Sequence, residues 1–188
     1  MRAGAFLRRF TAGDGREVII RTPEWDDLDD MLEFINSLVE EEAMIARDKK
    51  QTRDSEIEWL ARNLANLEKG VHVAVVAEVD SRMVASCEVS PRPGRMSHVG
   101  SLGISVKDGY RGIGIGQELM REAERQAVAA GLESIILEVF GINERAIHVY
   151  EKMGYRGIGV IPGGVKYRGE RVDSVYMFKE LCSSKLST

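Results

Sequence analysis

Three glycines fall within five positions of the segment Tyr110-Arg111-Gly112-Ile113-Gly114-Ile115-Gly116-Gln117. Glycine has no Cβ, so backbone N–H groups in such a stretch can converge on an anion. The segment lies between a run predicted as a strand and a run predicted as a helix. The start of that helix adds unpaired N–H groups and the positive end of the helix dipole. This combination suits phosphate binding; the alternative is a glycine turn needed only for close packing. Two common phosphate motifs do not fit. The dinucleotide fingerprint G-x-G-x-x-G lacks its third glycine, and Gln117-Glu118 stands where a P-loop needs Lys-Ser/Thr.

The segment reads Arg-x-x-Gly-x-Gly across Arg111, Gly114 and Gly116. In this it resembles the pyrophosphate loop of the GNAT superfamily of N-acetyltransferases. A second block extends the resemblance. Residues Leu137 to Tyr155 run as a strand, an Asn-x-x-Ala-x-x-x-Tyr helix (Asn143, Ala146, Tyr150) and a Gly154-Tyr155 exit. Asn143 and Tyr150 are seven residues apart, which places them on one helix face about 10.5 Å apart along its axis. The resemblance implies that Asn143 grips the cofactor arm and that Tyr150 stands near its sulfur. A helix-capping Asn143 and a core Tyr150 are the structural alternatives. The similarity covers about residues 71–180.

The family likeness implies an acetyl-CoA-dependent transferase. An amine, either a small amine or a protein N-terminus, attacks the thioester directly through a tetrahedral intermediate. The amine must first lose a proton, against an unperturbed pKa of about 10.4 if it is Lys-like. The oxyanion needs a positioned donor. The thiolate, with a Cys-like pKa of about 8.5, gains from a nearby acid. By offset from Arg111, the resemblance assigns Ile104, Ser105 and Val106 to the pantetheine arm, with the Ile104 N–H as oxyanion donor. It assigns Arg111, Gly112, Ile113, Gly114, Ile115, Gly116 and Gln117 to the pyrophosphate, and Tyr150 to the general acid. Some family members carry a Glu eleven residues before the loop's first Arg or Gln, but here that position is Gly100. Glu88, His98 or water is then the base. A non-catalytic CoA-binding sensor is the rival from another class, and a nucleotide-binding protein a further one.

These groups need a scaffold, and the apolar pattern supplies one. Val18–Arg21 reads as a strand. Thr22 and Pro23 then open an amphipathic helix carrying Leu28, Met31, Leu32, Ile35, Leu38 and Val39. Ser55 and Glu58 have capping-box spacing before a second helix, which Gly70 stops. Strands follow at 71–79, 83–90 and 97–106, the first two joined by a turn at Asp80-Ser81-Arg82. A helix at 116–130, a strand at 134–140 and a short helix at 143–153 come next, then strands near 155–162 and 171–181. The order is β, α, α, β, β, β, α, β, α, β, β. This predicts one domain over 1–188: an α/β fold with a mixed, mostly antiparallel sheet and helices on both faces.

Composition narrows the rest. The chain has 188 residues, 44% apolar and 30% charged, with a net charge of −4. That is ordinary for a globular domain and lacks the basic stripe of a nucleic-acid binder. Cys87 and Cys182 form no disulfide framework, and His72, His98 and His148 lack zinc-site spacing. No apolar run reaches membrane-spanning length. The expectation is a cytoplasmic enzyme with no metal, no nucleic-acid partner and no membrane partner. The family likeness adds a homodimer. The acidic residues Asp26, Asp27, Asp29, Asp30, Glu40, Glu41 and Glu42 suit either a cationic acceptor or a solvated helix face.

Overall fold

The computed structural model describes residues 1–181, so Cys182 lies outside the described residues. Eight strands are present: β1 (Phe6–Thr11), β2 (Glu17–Arg21), β3 (Val73–Val79), β4 (Arg82–Pro91), β5 (Val99–Val106), β6 (Ser134–Phe140), β7 (Arg156–Tyr167) and β8 (Glu170–Glu180). Four helices join them: α1 (Leu28–Glu40), α2 (Arg53–Glu68), α3 (Ile115–Ala129) and α4 (Glu144–Lys152). The strands form one sheet in the order β1-β2-β3-β4-β5-β6-β8-β7. Every neighbouring pair is antiparallel except β5–β6. The α/β architecture read from the sequence is therefore borne out.

Strand alternation splits the core into two layers. Val73, Val75, Ala77, Cys87 and Val89 pack with Ile115, Leu119, Met120 and Ala123 of α3, while α4 adds Ile147 and Tyr150 at the margin. Ala74, Val76 and Met83 point to the other face and meet Met31, Phe34 and Leu38 of α1 with Leu60, Leu64 and Leu67 of α2. Helices thus cover both faces.

Positive φ values mark two of the hairpin turns. Asp80 and Ser81 have φ of 50° and 60°, the positive values of a type I′ hairpin turn. Arg168 and Gly169 make the β7–β8 turn with φ of 51° and 81°. Elsewhere the structure corrects the sequence. β1 was not foreseen. Its FLRRFT run is largely exposed, so it lacks the apolar alternation that marks a strand. Thr22 does not cap α1; a single 3₁₀ turn, Trp25–Asp27, intervenes, and its capping box pairs Glu24 with Asp27. The box at α2 is Thr52 with Ser55, not Ser55 with Glu58.

Candidate active site

β5 and β6 run side by side only from Val99↔Ser134 to Leu102↔Leu137. β5 continues to Val106 against β4, and β6 continues to Phe140 against β8. Beyond Leu102 the two parallel strands part, and a cleft opens between them. Backbone direction in this cleft follows from pairing. The Lys107 N–H donates to the Val84 carbonyl at 2.9 Å, and the Arg92 N–H to the Val99 carbonyl at 2.9 Å. In an antiparallel ladder the bonded residues alternate. The odd-numbered residues of β5 therefore face β4, and Ile104 and Val106 turn their N–H and C=O groups toward the cleft. Ser105 directs its backbone to β4, so of the three expected pantetheine contacts only Ile104 and Val106 have main-chain groups aimed there.

At the end of β5 the chain turns into the glycine segment. Gly112 and Gly114 have φ of 83° and 94°, a region L side chains rarely adopt. Gly114 is the residue before α3, and its carbonyl accepts the Glu118 N–H at 3.1 Å. The N–H groups of Ile115, Gly116 and Gln117 are the unpaired first-turn donors. A Cβ on Gly116 would lie 3.4 Å from Val106 Cγ2 and 3.8 Å from Ile104 Cδ1, so the helix start sits directly against the cleft strand. A Cβ on Gly112 would lie 2.6 Å from Arg145 Nη2, the far end of a side chain on α4. The hairpin between β1 and β2 buttresses the loop from outside. There Gly13 N–H donates to the Ile113 carbonyl at 2.9 Å, Arg16 bonds the Gly109 carbonyl at 2.8 Å, and its guanidinium lies 4.3 Å from the Tyr110 ring centroid.

Arg111 is held by the protein itself. Its Nε donates to the Val106 carbonyl at 2.7 Å, and its two terminal nitrogens pair with Glu41 just past α1. It braces the loop against the cleft strand and the end of α1. Asn143 caps α4, its Oδ1 accepting the Ala146 N–H at 3.1 Å.

Tyr150 packs against the same core layer as Cys87, with its ring edge-on to Tyr155 at 6.1 Å. Cys87 pairs across the ladder with Ile104, which ties Tyr150 to the cleft. Burial, then the neighbouring Cys87, pushes the phenol up to about 12, so it is protonated at neutral pH.

On the opposite face, Glu88 of β4 pairs with Gly103, where a Cβ would meet nothing within 4 Å. Glu138 lies one residue past the last β5–β6 pair and pairs with Tyr176. Ser174 donates to the Glu138 carboxylate. Glu88 and Glu138 therefore lie on the sheet face opposite α3, where Gly103 and Glu138 are exposed. Burial pushes Glu88 up to about 7, opposed by Arg47 and reinforced by Glu56. His98 is exposed before β5, six residues from Ile104 and so about 20 Å away along the strand. The structure does not bring it to the cleft. Gly100 cannot host a carboxylate, because a Cβ there would come within 2.4 Å of Val89 Cγ1.

Sequence reasoning missed Glu138 and His72. Only register shows that Glu88 and Glu138 share a face. The acidic residues around α1 are mostly tied up as structure. Asp27 is buried on Arg21 at 2.5 Å, Asp29 meets Arg53 at 3.0 Å, and Glu42 meets Arg168 at 2.8 Å. Among the described residues no cluster of His, Cys, Asp and Glu could hold a metal, and no helix is long and apolar enough to cross a membrane.

The acetyltransferase (GNAT) family model matches residues 31–155, two thirds of the chain. YwnH of Bacillus subtilis, named as a phosphinothricin acetyltransferase, is 25% identical over 164 residues, covering 86% of this chain and 98% of YwnH. The streptothricin acetyltransferase of Streptomyces lavendulae is 44% identical over 57 residues, 30% of each chain. The crystal structure of a phosphinothricin acetyltransferase from Sinorhizobium meliloti, in complex with acetyl-CoA, superposes with a TM-score of 0.79 at 19% identity, covering 95% of this chain and 93% of that one. The chain belongs to the GNAT acetyltransferase family, and acetyl-CoA is its acetyl donor.

Proposed function

We propose that this enzyme acetylates a primary amine that arrives as a cation, either a small amine or a peptide N-terminus. The observation that carries this reading is two carboxylates near where β5 and β6 part: Glu88, paired with Gly103, and Glu138, one residue past the last β5–β6 pair. Two carboxylates beside an unfilled glycine position favour an ammonium and disfavour an acidic acceptor. Glu88, raised toward neutral pH, takes one proton from the ammonium. The freed amine attacks the acetyl carbonyl directly. The Ile104 N–H donates to the developing oxyanion; as the C–S bond breaks, Tyr150 gives its proton to the departing thiolate, and the surplus proton on the new amide nitrogen leaves to water, from which Tyr150 is reprotonated. Backbone donors of Ile115, Gly116 and Gln117 hold the pyrophosphate, with the Val106 N–H on the pantetheine arm and the Asn143 amide nitrogen beside it.

The same reading takes the protein as a cytoplasmic homodimer with no nucleic-acid or membrane partner. Edge strand β7 supports a protein partner, because Ile158, Val160 and Ile161 are each about half exposed on it. The free, buried Cys87 fits a reducing compartment.

Thiol release from acetyl-CoA, screened across polyamines, aminoglycosides, neutral amino acids, acidic amino acids and N-terminal peptides, tests the acceptor class. Cationic amines are expected to give kcat/KM at least tenfold above acidic amino acids. The reverse ranking would refute the cationic-acceptor reading.

A further inference from the structure

His72 stands immediately before β3 and is 6% exposed. Its Nδ1 lies 2.9 Å from Ser90 Oγ. Among the described residues its Nε2 is buried without a hydrogen-bond partner, and it lies 3.9 Å from Glu88 Oε2. The β3–β4 register explains the placement. Ala74 pairs with Glu88 and Val73 with Val89, so His72 and Glu88 are diagonal neighbours on the face covered by α1 and α2. Ala74 between them leaves the space clear. A buried polar atom without a partner is costly, and native structures keep few of them. This one is aimed at the carboxylate beside the cleft.

We propose that His72 is a positioning residue for acetyl transfer, holding Glu88 and sharing the proton that Glu88 takes from the acceptor ammonium. The inference rests on the reading of Glu88 as the base. With its hydrogen on Nδ1, donated to Ser90 Oγ, the imidazole turns a lone pair on Nε2 toward Glu88. The present separation exceeds hydrogen-bond length, so the proton sharing requires the Glu88 side chain to rotate toward Nε2. The proton balance is simple. An N–H bond of the ammonium breaks and an O–H bond forms on Glu88. That O–H then points at Nε2, and transfer yields a Glu88 carboxylate and a His72 imidazolium. The proton leaves to water. Arg47, Glu56 and His72 are the charged or titratable groups that bear on Glu88 from this side, with Cys87 behind it on the other face. Burial lowers the proton affinity of His72, which keeps the resting imidazole neutral with its Nε2 lone pair free for the Glu88 O–H.

Two measurements test this. With three histidines in the chain, the His72 ring signal can be assigned by NMR and titrated in the wild type and in Glu88→Gln. The imidazole is expected to titrate at least one pH unit lower in Glu88→Gln, having lost its anionic neighbour. Identical curves would overturn the proposal. In steady-state rates, His72→Gln is expected to lose at least tenfold in kcat/KM. The rising limb of its pH profile should move down by half a unit or more, because protonated Glu88 loses its acceptor. CoA should still raise its melting temperature, and Ser90→Ala should shift the limb in the same direction by less. A slow Glu88→Gln beside a His72→Gln with wild-type rate and limb would refute the pairing alone. A Glu88→Gln with wild-type kcat/KM would refute the base assignment itself.

Discussion

Replacing Tyr150 by phenylalanine is expected to lower kcat by roughly 10²–10⁴, the usual range for an acid–base group. The substitution removes one oxygen and keeps the ring, so the edge-on contact with Tyr155 and the packing against the α3 layer survive. The hydroxyl is protonated throughout the neutral range, since burial holds the phenol up near 12. It can therefore give a proton to a thiolate but does not act as an anion. CoA affinity should stay within a few fold, because the interaction strengthens only as charge develops on sulfur. Steady-state rates and a CoA titration of the same mutant decide the matter. Wild-type kcat would return Tyr150 to a packing role, and normal kcat with weak CoA binding would make it a cosubstrate contact only.

The second large effect belongs to the glycine loop. Gly116→Val should weaken CoA binding at least tenfold, which is about 1.4 kcal/mol. A Cβ there already touches Val106 and Ile104, so the added methyls press on the cleft strand and crowd the first-turn N–H groups. Gly114→Val should do the same and also cost stability. A Cβ on Gly114 would meet open space, but its φ of 94° is strained for valine. Calorimetry separates the two mutants from a packing-only role. Unchanged CoA affinity in a folded Gly116→Val protein would show that the glycine serves packing alone.

The loop was legible in the sequence because its signal is local: glycines, then an apolar helix. The α3 and α4 helices and the 80–82 turn were legible for the same reason. β1 was not, because an exposed edge strand carrying Arg8 and Arg9 has no alternating apolar pattern. What the sequence could not supply was register. His98 and Ile104 lie on or next to one strand, yet they sit at opposite ends of it. Glu88, Glu138 and His72 are distant in sequence and share a face only because of how β3, β4, β5 and β6 align. Arg111 matched a motif by residue type, and its side chain turned out to brace Val106 and Glu41.

Direct transfer at the parted strands is the central claim, and product mass spectrometry during a single turnover tests it most directly. Enzyme is mixed with acetyl-CoA and the best cationic amine from the screen, and samples are quenched over time. One N-acetylated amine should appear for each thiol released, while the mass of the protein stays unchanged at every time point. Accumulation of an acetylated protein before product would contradict direct attack, and tight CoA binding with no acetylated amine would make the protein a CoA sensor.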